Sequence, residues 1–548
     1  MITRLCLPGA QFRGVHPVFS AGVRRTGFRS LRAVLALVAA VLVFQPLGHA
    51  QQQSGKEPFI EPAEMHSKTK ARALIATQPH VTGQWATLPF MMPLNPVHIA
   101  MMHNGKVLIV SGSGNDPNDK ILQAGVWDPK TATIKTFLIS YDMFCNGMII
   151  LPNGQPFVLG GTLKYDSFLG YAKTSLFNPA TEVFTSGPDM SGGRWYPTAT
   201  VLGDGSVMVL SGLLDTSSTL NTTVQIGNGV TWTAAGTIFG GAPLYPREHL
   251  LPDGKVFEDG SNPDSQMYDP VAHTFTPVAT TIFGKNREYG TSVLLPLTPA
   301  NGFKPKVMIM GGGEPPLITN TTELIDLSVP SPKWVSGPAM VGDRIQLNAT
   351  ILPSGQVLVS GGSTVDEDPT TGVLEAQLYH PATNTFTSAG NMEFARVYHS
   401  NTMLLPDGTV MAVGGNPTRG DFEPHIEIYS PPYLFKTDGT LAKRPVITKV
   451  TPTAAFYGSK FSVSTPDAAS IKSVVLVRAG AVTHAFDMEQ RLVGLSFKNV
   501  AGVLQVTAPA KGNLAPPGYY LLFIVDDAGV PSVAQFIHLS QLTAPRKR

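Results

Sequence analysis

One short segment recurs seven times along this chain, and that recurrence limits the folds open to it. Its clearest copy is RVYHSNTMLLPDGTVMAVGG at Arg396–Gly415: a polar start, an apolar strand, a tight turn at Pro406-Asp407-Gly408, a second apolar strand and a double glycine. Earlier copies begin at His98, Cys145, Tyr196, Tyr245, Tyr289 and Gln346. Their turn glycines, Gly105, Gly154, Gly205, Gly254, Gly302, Gly355 and Gly408, are spaced by 48 to 53 residues. A second echo follows most copies, as in LFNPATEVFTSG and LYHPATNTFTSA, and reads as an outer strand pair with a Pro turn.

Four short strands and a double glycine per period of about 50 residues are the signature of kelch-type propeller blades. Seven copies close a ring, and closure removes exposed sheet edges. A linear solenoid is the alternative, but its repeats are far shorter. Composition agrees: Gly (54) and Pro (46) supply many turns, while 43% hydrophobic residues exclude a disordered Pro/Gly chain. The period stops after Tyr429-Ser430-Pro431-Pro432. Strand-like runs such as SVVLVRAG and YYLLFIVDD then predict a β-sandwich of immunoglobulin type. The expected fold is all-β: a seven-bladed propeller over 81–440, a sandwich over 441–541 and a basic tail over 542–548.

The N-terminus predicts export. Residues 1–50 hold six Arg and no acid, then the apolar run Ala33–Phe44 and the small-x-small pattern Gly48-His49-Ala50. We read 1–50 as a signal peptide and 51–80 as a linker, with an uncleaved membrane anchor as the alternative. Without residues 1–50 the balance is 34 basic to 38 acidic side chains, which argues against a nucleic-acid partner. Loss of Cys6 with the leader would leave Cys145 alone, unable to form an internal disulfide. A buried thiol acting as a small hydrophobe is the plain explanation of such a residue.

The copies differ most at their starts. Nine residues before the turn glycine stand Cys145, Tyr196, Tyr245, Gln346 and His399, the last with Tyr398 beside it; Tyr289 opens the stretched fifth copy. Equivalent positions in a ring lie at one end of the inner strands, so these side chains should converge on one axial mouth. Imidazole and phenol together suit copper(II) better than zinc. Each of these residues taken alone is as easily a packing residue.

FCNG at Phe144–Gly147, GRWYPT at Gly193–Thr198, RVYHS at Arg396–Ser400 and THAFDMEQR at Thr483–Arg491 resemble the copper-radical oxidases, the family of galactose oxidase and glyoxal oxidase. PGYYLLFIVDDAGVPSVA at Pro517–Ala534 resembles the end of that family's C-terminal sandwich, and GRWYPT leans toward the glyoxal oxidase branch. The resemblance implies one copper ion with Tyr196, Tyr398, His399 and His484 as ligands, and a protein-derived radical cofactor made by a Cys145–Tyr196 thioether. It implies Tyr398 as the group that takes the substrate proton. The implied reaction is two-electron oxidation of a small alcohol or aldehyde, with O2 reduced to H2O2, by a monomer. Arg247 and Tyr245 are candidate substrate contacts. Where galactose oxidase carries a Trp stacked over the cross-link, this chain has Leu213 and Leu214, so that shield is missing or comes from elsewhere. The competing reading is a non-catalytic kelch propeller that binds a glycan or a protein partner. A hydrolase is a third possibility, but no G-x-S-x-G elbow or acidic pair calls for one.

Overall fold

The computed structural model describes residues 78–238 and 242–541. The expected leader, most of the linker and the basic tail lie outside them. Among the described residues no helix is long and apolar enough to cross a membrane.

Seven sheets each carry one repeat. The second is built from Gly147–Ile150, Pro156–Leu159, Thr174–Asn178 and Val183–Ser186, in that order from inside to outside, and the others follow the same plan. The inner two strands are buried along their whole length, because both faces of each sheet are covered by neighbouring sheets. Outer strands such as Thr133–Leu138 face water over most of their length, which explains their Thr and Lys content. The seventh sheet is completed from the other end of the chain. Gln84–Met91 pairs antiparallel with His425–Ser430, with Trp85 opposite Tyr429. First and last repeats are thereby joined, and the sequence pattern does not announce it.

The double glycines have a steric cause. Gly312 has φ +86°, and a Cβ there would sit 2.8 Å from the Arg287 carbonyl oxygen of its own repeat. Four of the repeat-ending turns, Ser211-Gly212 among them, are gripped by a buried arginine two residues before a repeat's Tyr or Gln. Arg287 donates to Gly311 O (2.8 Å), Arg396 to Gly414 O (3.1 Å), Arg194 to Ser211 O (2.7 Å) and Arg344 to Gly361 O (3.3 Å). In two sheets the charge is matched by a buried carboxylate on the third strand, Arg287–Glu323 at 2.6 Å and Arg396–Glu427 at 2.8 Å.

The C-terminal region forms two packed sheets. One is Lys449–Thr451, Lys460–Ser464, Val503–Thr507 and Phe497–Val500; the other centres on Ile471–Arg478 and Gly518–Asp526. Phe461, Val463, Leu476, Leu504 and Leu522 fill the space between them. Between Arg478 and Leu492 the chain leaves this sandwich as a hairpin. Its strand Ala481–Thr483 pairs with the inner strand of the first repeat sheet, His98 facing Thr483 and Ala100 facing Ala481. Further ties fix it: Glu489 Oε1 accepts from Ile150 N (2.8 Å), Gln490 Nε2 donates to Ala349 O (2.9 Å) and Thr291 Oγ1 donates to Ala485 O (2.5 Å). At its root the Arg478 guanidinium pairs with Glu489, both buried.

The arginine clamps yield a stability prediction. Arg287→Met leaves Glu323 buried and unpaired, which costs about 3–5 kcal/mol. The double variant Arg287→Met/Glu323→Leu should recover much of that loss in urea unfolding. Equal destabilisation of single and double variants would show that the ion pair is not the cause.

Candidate metal centre

The repeat starts share an unusual backbone. Cys145 (φ +61°), Tyr196 (+67°), Tyr245 (+45°), Tyr289 (+52°), Gln346 (+61°) and His399 (+65°) all occupy the left-handed region. Non-glycine residues are rarely found there, and surrounding structure must hold them. Part of that hold is a relay of main-chain hydrogen bonds around the ring: Tyr196 N to Cys145 O (3.0 Å), Tyr245 N to Tyr196 O (3.0 Å) and Gln346 N to Tyr289 O (2.8 Å). The hairpin presents His484 in the same conformation, at φ +47°.

Cys145, Tyr196, Tyr398, His399 and His484 come together at one buried centre. Ligand atoms of Cys145, His399 and His484 lie within 4.8 Å of one another. His484 Nε2 is 3.0 Å from the Tyr196 hydroxyl and 3.8 Å from Cys145 Sγ. The Tyr196 and Tyr398 hydroxyls are in direct contact. The His399 and His484 rings stand nearly perpendicular, with centroids 4.5 Å apart.

Hydrogen bonds fix which nitrogen of each imidazole faces the centre. Thr483 Oγ1 donates to Val97 O (3.0 Å), so it must accept from His484 Nδ1 (2.6 Å). Asn416 Nδ2 donates to Asp421 O, which turns Asn416 Oδ1 toward His399 Nδ1 at 2.6 Å. Both rings therefore present an Nε2 lone pair inward, and His399 Nε2 is buried without a partner. Burial holds His399 neutral, its pKa lowered to about 3. His484 is lowered well below its usual value by burial and then by the charges of His399 and His98. The same burial pushes Tyr196 and Tyr398 well above the ordinary phenol value, with the neighbouring Cys145 adding to it. Two neutral imidazoles and two phenols that ionise only against a cation fit copper(II). Cys145 is a buried free cysteine whose thiol is also raised, chiefly by burial, so its resting form is the protonated one.

Two expectations are refined. The shield over Tyr196 comes from Trp195, whose ring stacks on it at 3.8 Å and 11°, with Phe168 stacked on Trp195 at 4.2 Å. Leu213 packs beside this cluster and bridges Trp195 through the main chain. Tyr245 lies against the centre, 4.4 Å from the Tyr196 ring and 4.6 Å from His484, its hydroxyl donating to Asn146 O (2.6 Å). Arg247 lines a cavity with Tyr196, Tyr245 and His484. Its guanidinium, however, is engaged by Asp259 (3.2 Å), Gly290 O (2.9 Å) and Gly260 O.

Residues 115–433 match the family described as Glyoxal oxidase N-terminus, and 444–539 match Galactose oxidase-like, Early set domain. A galactose oxidase of Gibberella zeae is 27% identical, covering 90% of this chain and 75% of its own. Aldehyde oxidase GLOX of Vitis pseudoreticulata is 28% identical over 85% of this chain and 99% of its own. Among solved structures, a fungal alcohol oxidase of the AA5 family in complex with copper superposes with a TM-score of 0.74 at 26% identity, over 84% of this chain and all of that one.

Asn416 touches no reacting group but orients His399. Asn416→Leu should weaken copper binding about 10–100-fold in a chelator competition. Unaltered affinity would show that Asn416 does not set the ring.

Proposed function

The chain belongs to the glyoxal oxidase family, and on that premise we propose that Tyr196, Tyr398, His399 and His484 hold its copper and that Cys145 is joined to Tyr196 as a thioether. The protein is a copper oxidase that converts a small alcohol or aldehyde and passes the two electrons to O2, giving H2O2. The observation that carries the ligand assignment is the pair of buried Nε2 lone pairs, that of His484 on the Tyr196 hydroxyl and that of His399 without a partner, beside two touching phenols. Bound copper supplies a Lewis acid and one of the two oxidising equivalents.

The chain's own residues do the rest. Tyr398 Oη takes the proton from the substrate hydroxyl, a role open to it because copper offsets the burial that otherwise keeps the phenol protonated. Joined to Cys145, Tyr196 would be the residue that holds the second oxidising equivalent. Trp195 and Phe168 cover that ring and keep water from it. His484 and His399 fix the metal from two elements, the hairpin and the seventh repeat. Every proposed ligand comes from one chain, so a monomer is sufficient. In this reading 81–440 form the catalytic ring, 441–541 complete its metal site, and the leader at 1–50 delivers the enzyme outside the cell.

Tyr398 is the residue whose change separates metal binding from chemistry. Tyr398→Phe should still bind copper, while peroxide formation falls by about 10²–10⁴, the contribution of a general base. Undiminished peroxide formation would remove Tyr398 from the reaction.

A further inference from the structure

A run of aromatic rings leads away from the centre toward the surface. Trp195 lies on Tyr196 at 3.8 Å, Phe168 on Trp195 at 4.2 Å, and Tyr165 against Phe168 at 5.4 Å. Tyr196 and Trp195 are buried. Phe168 and Tyr165 are half-buried, in the turn of a small hairpin between Thr162–Lys164 and Leu169–Gly170. Tyr165 also meets Phe144, the neighbour of Cys145, at 5.8 Å. The Arg419 guanidinium lies over the Tyr165 ring, 5.3 Å from its centre.

The hydroxyl at the outer end has a proton acceptor. Tyr165 Oη and Ser113 Oγ are 2.6 Å apart, and Ser113 Oγ donates to Asp142 Oδ2, also at 2.6 Å. Asp142 Oδ1 accepts from Ser113 N (2.9 Å) and Phe144 N (3.0 Å). Asp142 is thus set as an acceptor, and the Tyr165 hydroxyl is left to donate to Ser113. A phenol that loses an electron becomes a strong acid, so its oxidation is easier where the proton can leave at the same moment. Electron transfer falls off steeply with distance, and rings in contact divide one long step into short ones. Trp195 and Tyr165 are the oxidisable members of this run, with Phe168 as the contact between them.

We propose that Tyr165 is the port through which the cross-linked Tyr196 exchanges single electrons with solvent, with Ser113 and Asp142 taking up its proton. The inference rests on the copper-oxidase reading above. Turnover moves electrons in pairs from substrate to O2, so a single electron entering or leaving the buried centre needs a route of its own. A soluble one-electron acceptor such as ferricyanide takes an electron from Tyr165. The phenol proton passes to Ser113 Oγ as the Ser113 proton passes to Asp142 Oδ2. Tyr165 then takes an electron from Tyr196 through Phe168 and Trp195, and both protons return. In net terms Tyr196 has lost one electron and ferricyanide has become ferrocyanide. Tyr196 is a phenolate under copper in that reading, so it releases no proton.

The test uses copper(II)-loaded protein in which the Cys145–Tyr196 bond has formed, treated with ferrocyanide to discharge any stored oxidising equivalent, desalted and mixed rapidly with ferricyanide. Tyr165→Phe keeps the ring and removes the proton; it should slow ferricyanide reduction by about tenfold or more. Ser113→Ala should slow it several-fold. Copper affinity in chelator competition should be unaltered in both variants. With a nitroso spin trap present, peptide mass spectrometry should place an adduct on Tyr165. A rate unmoved in either variant, a rate loss matched by an equal loss of copper affinity, or the absence of a trap adduct on Tyr165 overturns the inference and leaves the oxidase reading intact. Failure of the unaltered, copper-loaded protein to reduce ferricyanide at all overturns both.

Discussion

The proposed metal centre depends on a short β-ladder between distant parts of the chain. Ala481–Thr483 extends the first repeat sheet inward by pairing with His98–Ala100. That pairing sets His484 one residue beyond the sheet, in a left-handed turn, with its Nε2 on the Tyr196 hydroxyl. Without it the proposed ligand set would keep one imidazole and two phenols and lose its second neutral nitrogen donor. The Arg478–Glu489 pair and the Gln490 and Glu489 contacts to the sixth and second sheets keep the hairpin in register. The C-terminal sandwich is thus a platform for one histidine.

Burial then sets the chemistry. Each polar group at the centre is in its neutral form: imidazoles with low pKa, phenols and thiol with high ones. Such a cluster has little charge of its own and gains most from a divalent cation, which stabilises phenolate where water cannot. The two histidines differ in how they are aimed. Thr483 orients His484 from the adjoining position in the hairpin, while Asn416 orients His399 from beyond the double glycine of the same repeat.

Much of this was legible in the repeat register. Counting from the turn glycines placed Cys145, Tyr196, Tyr245, Gln346 and His399 at one mouth, and the structure gives those positions a common left-handed backbone. Other features had no sequence period to reveal them. Gln84–Met91 closes the seventh sheet as a lone strand, without the turn and glycines that mark a repeat. The arginine clamps did leave a signal, Arg-x-Tyr or Arg-x-Gln at Arg194, Arg287, Arg344 and Arg396, but a charged residue in an apolar repeat reads as surface until its carbonyl partners are seen. Trp195 stood in plain view beside Tyr196. Its stacking depends on the left-handed turn at Tyr196, which a linear motif does not express.

The central claim is that a buried thiol and a phenol at matching positions of adjacent repeats become one cofactor under copper and air. Intact mass of the mature protein, before and after copper loading in air, tests it most directly. The account predicts loss of two hydrogen atoms, abolished in Cys145→Ser and in Tyr196→Phe, with Cys145 no longer alkylatable after unfolding. An unchanged mass with a fully alkylatable Cys145 in copper-loaded, air-exposed protein would contradict it.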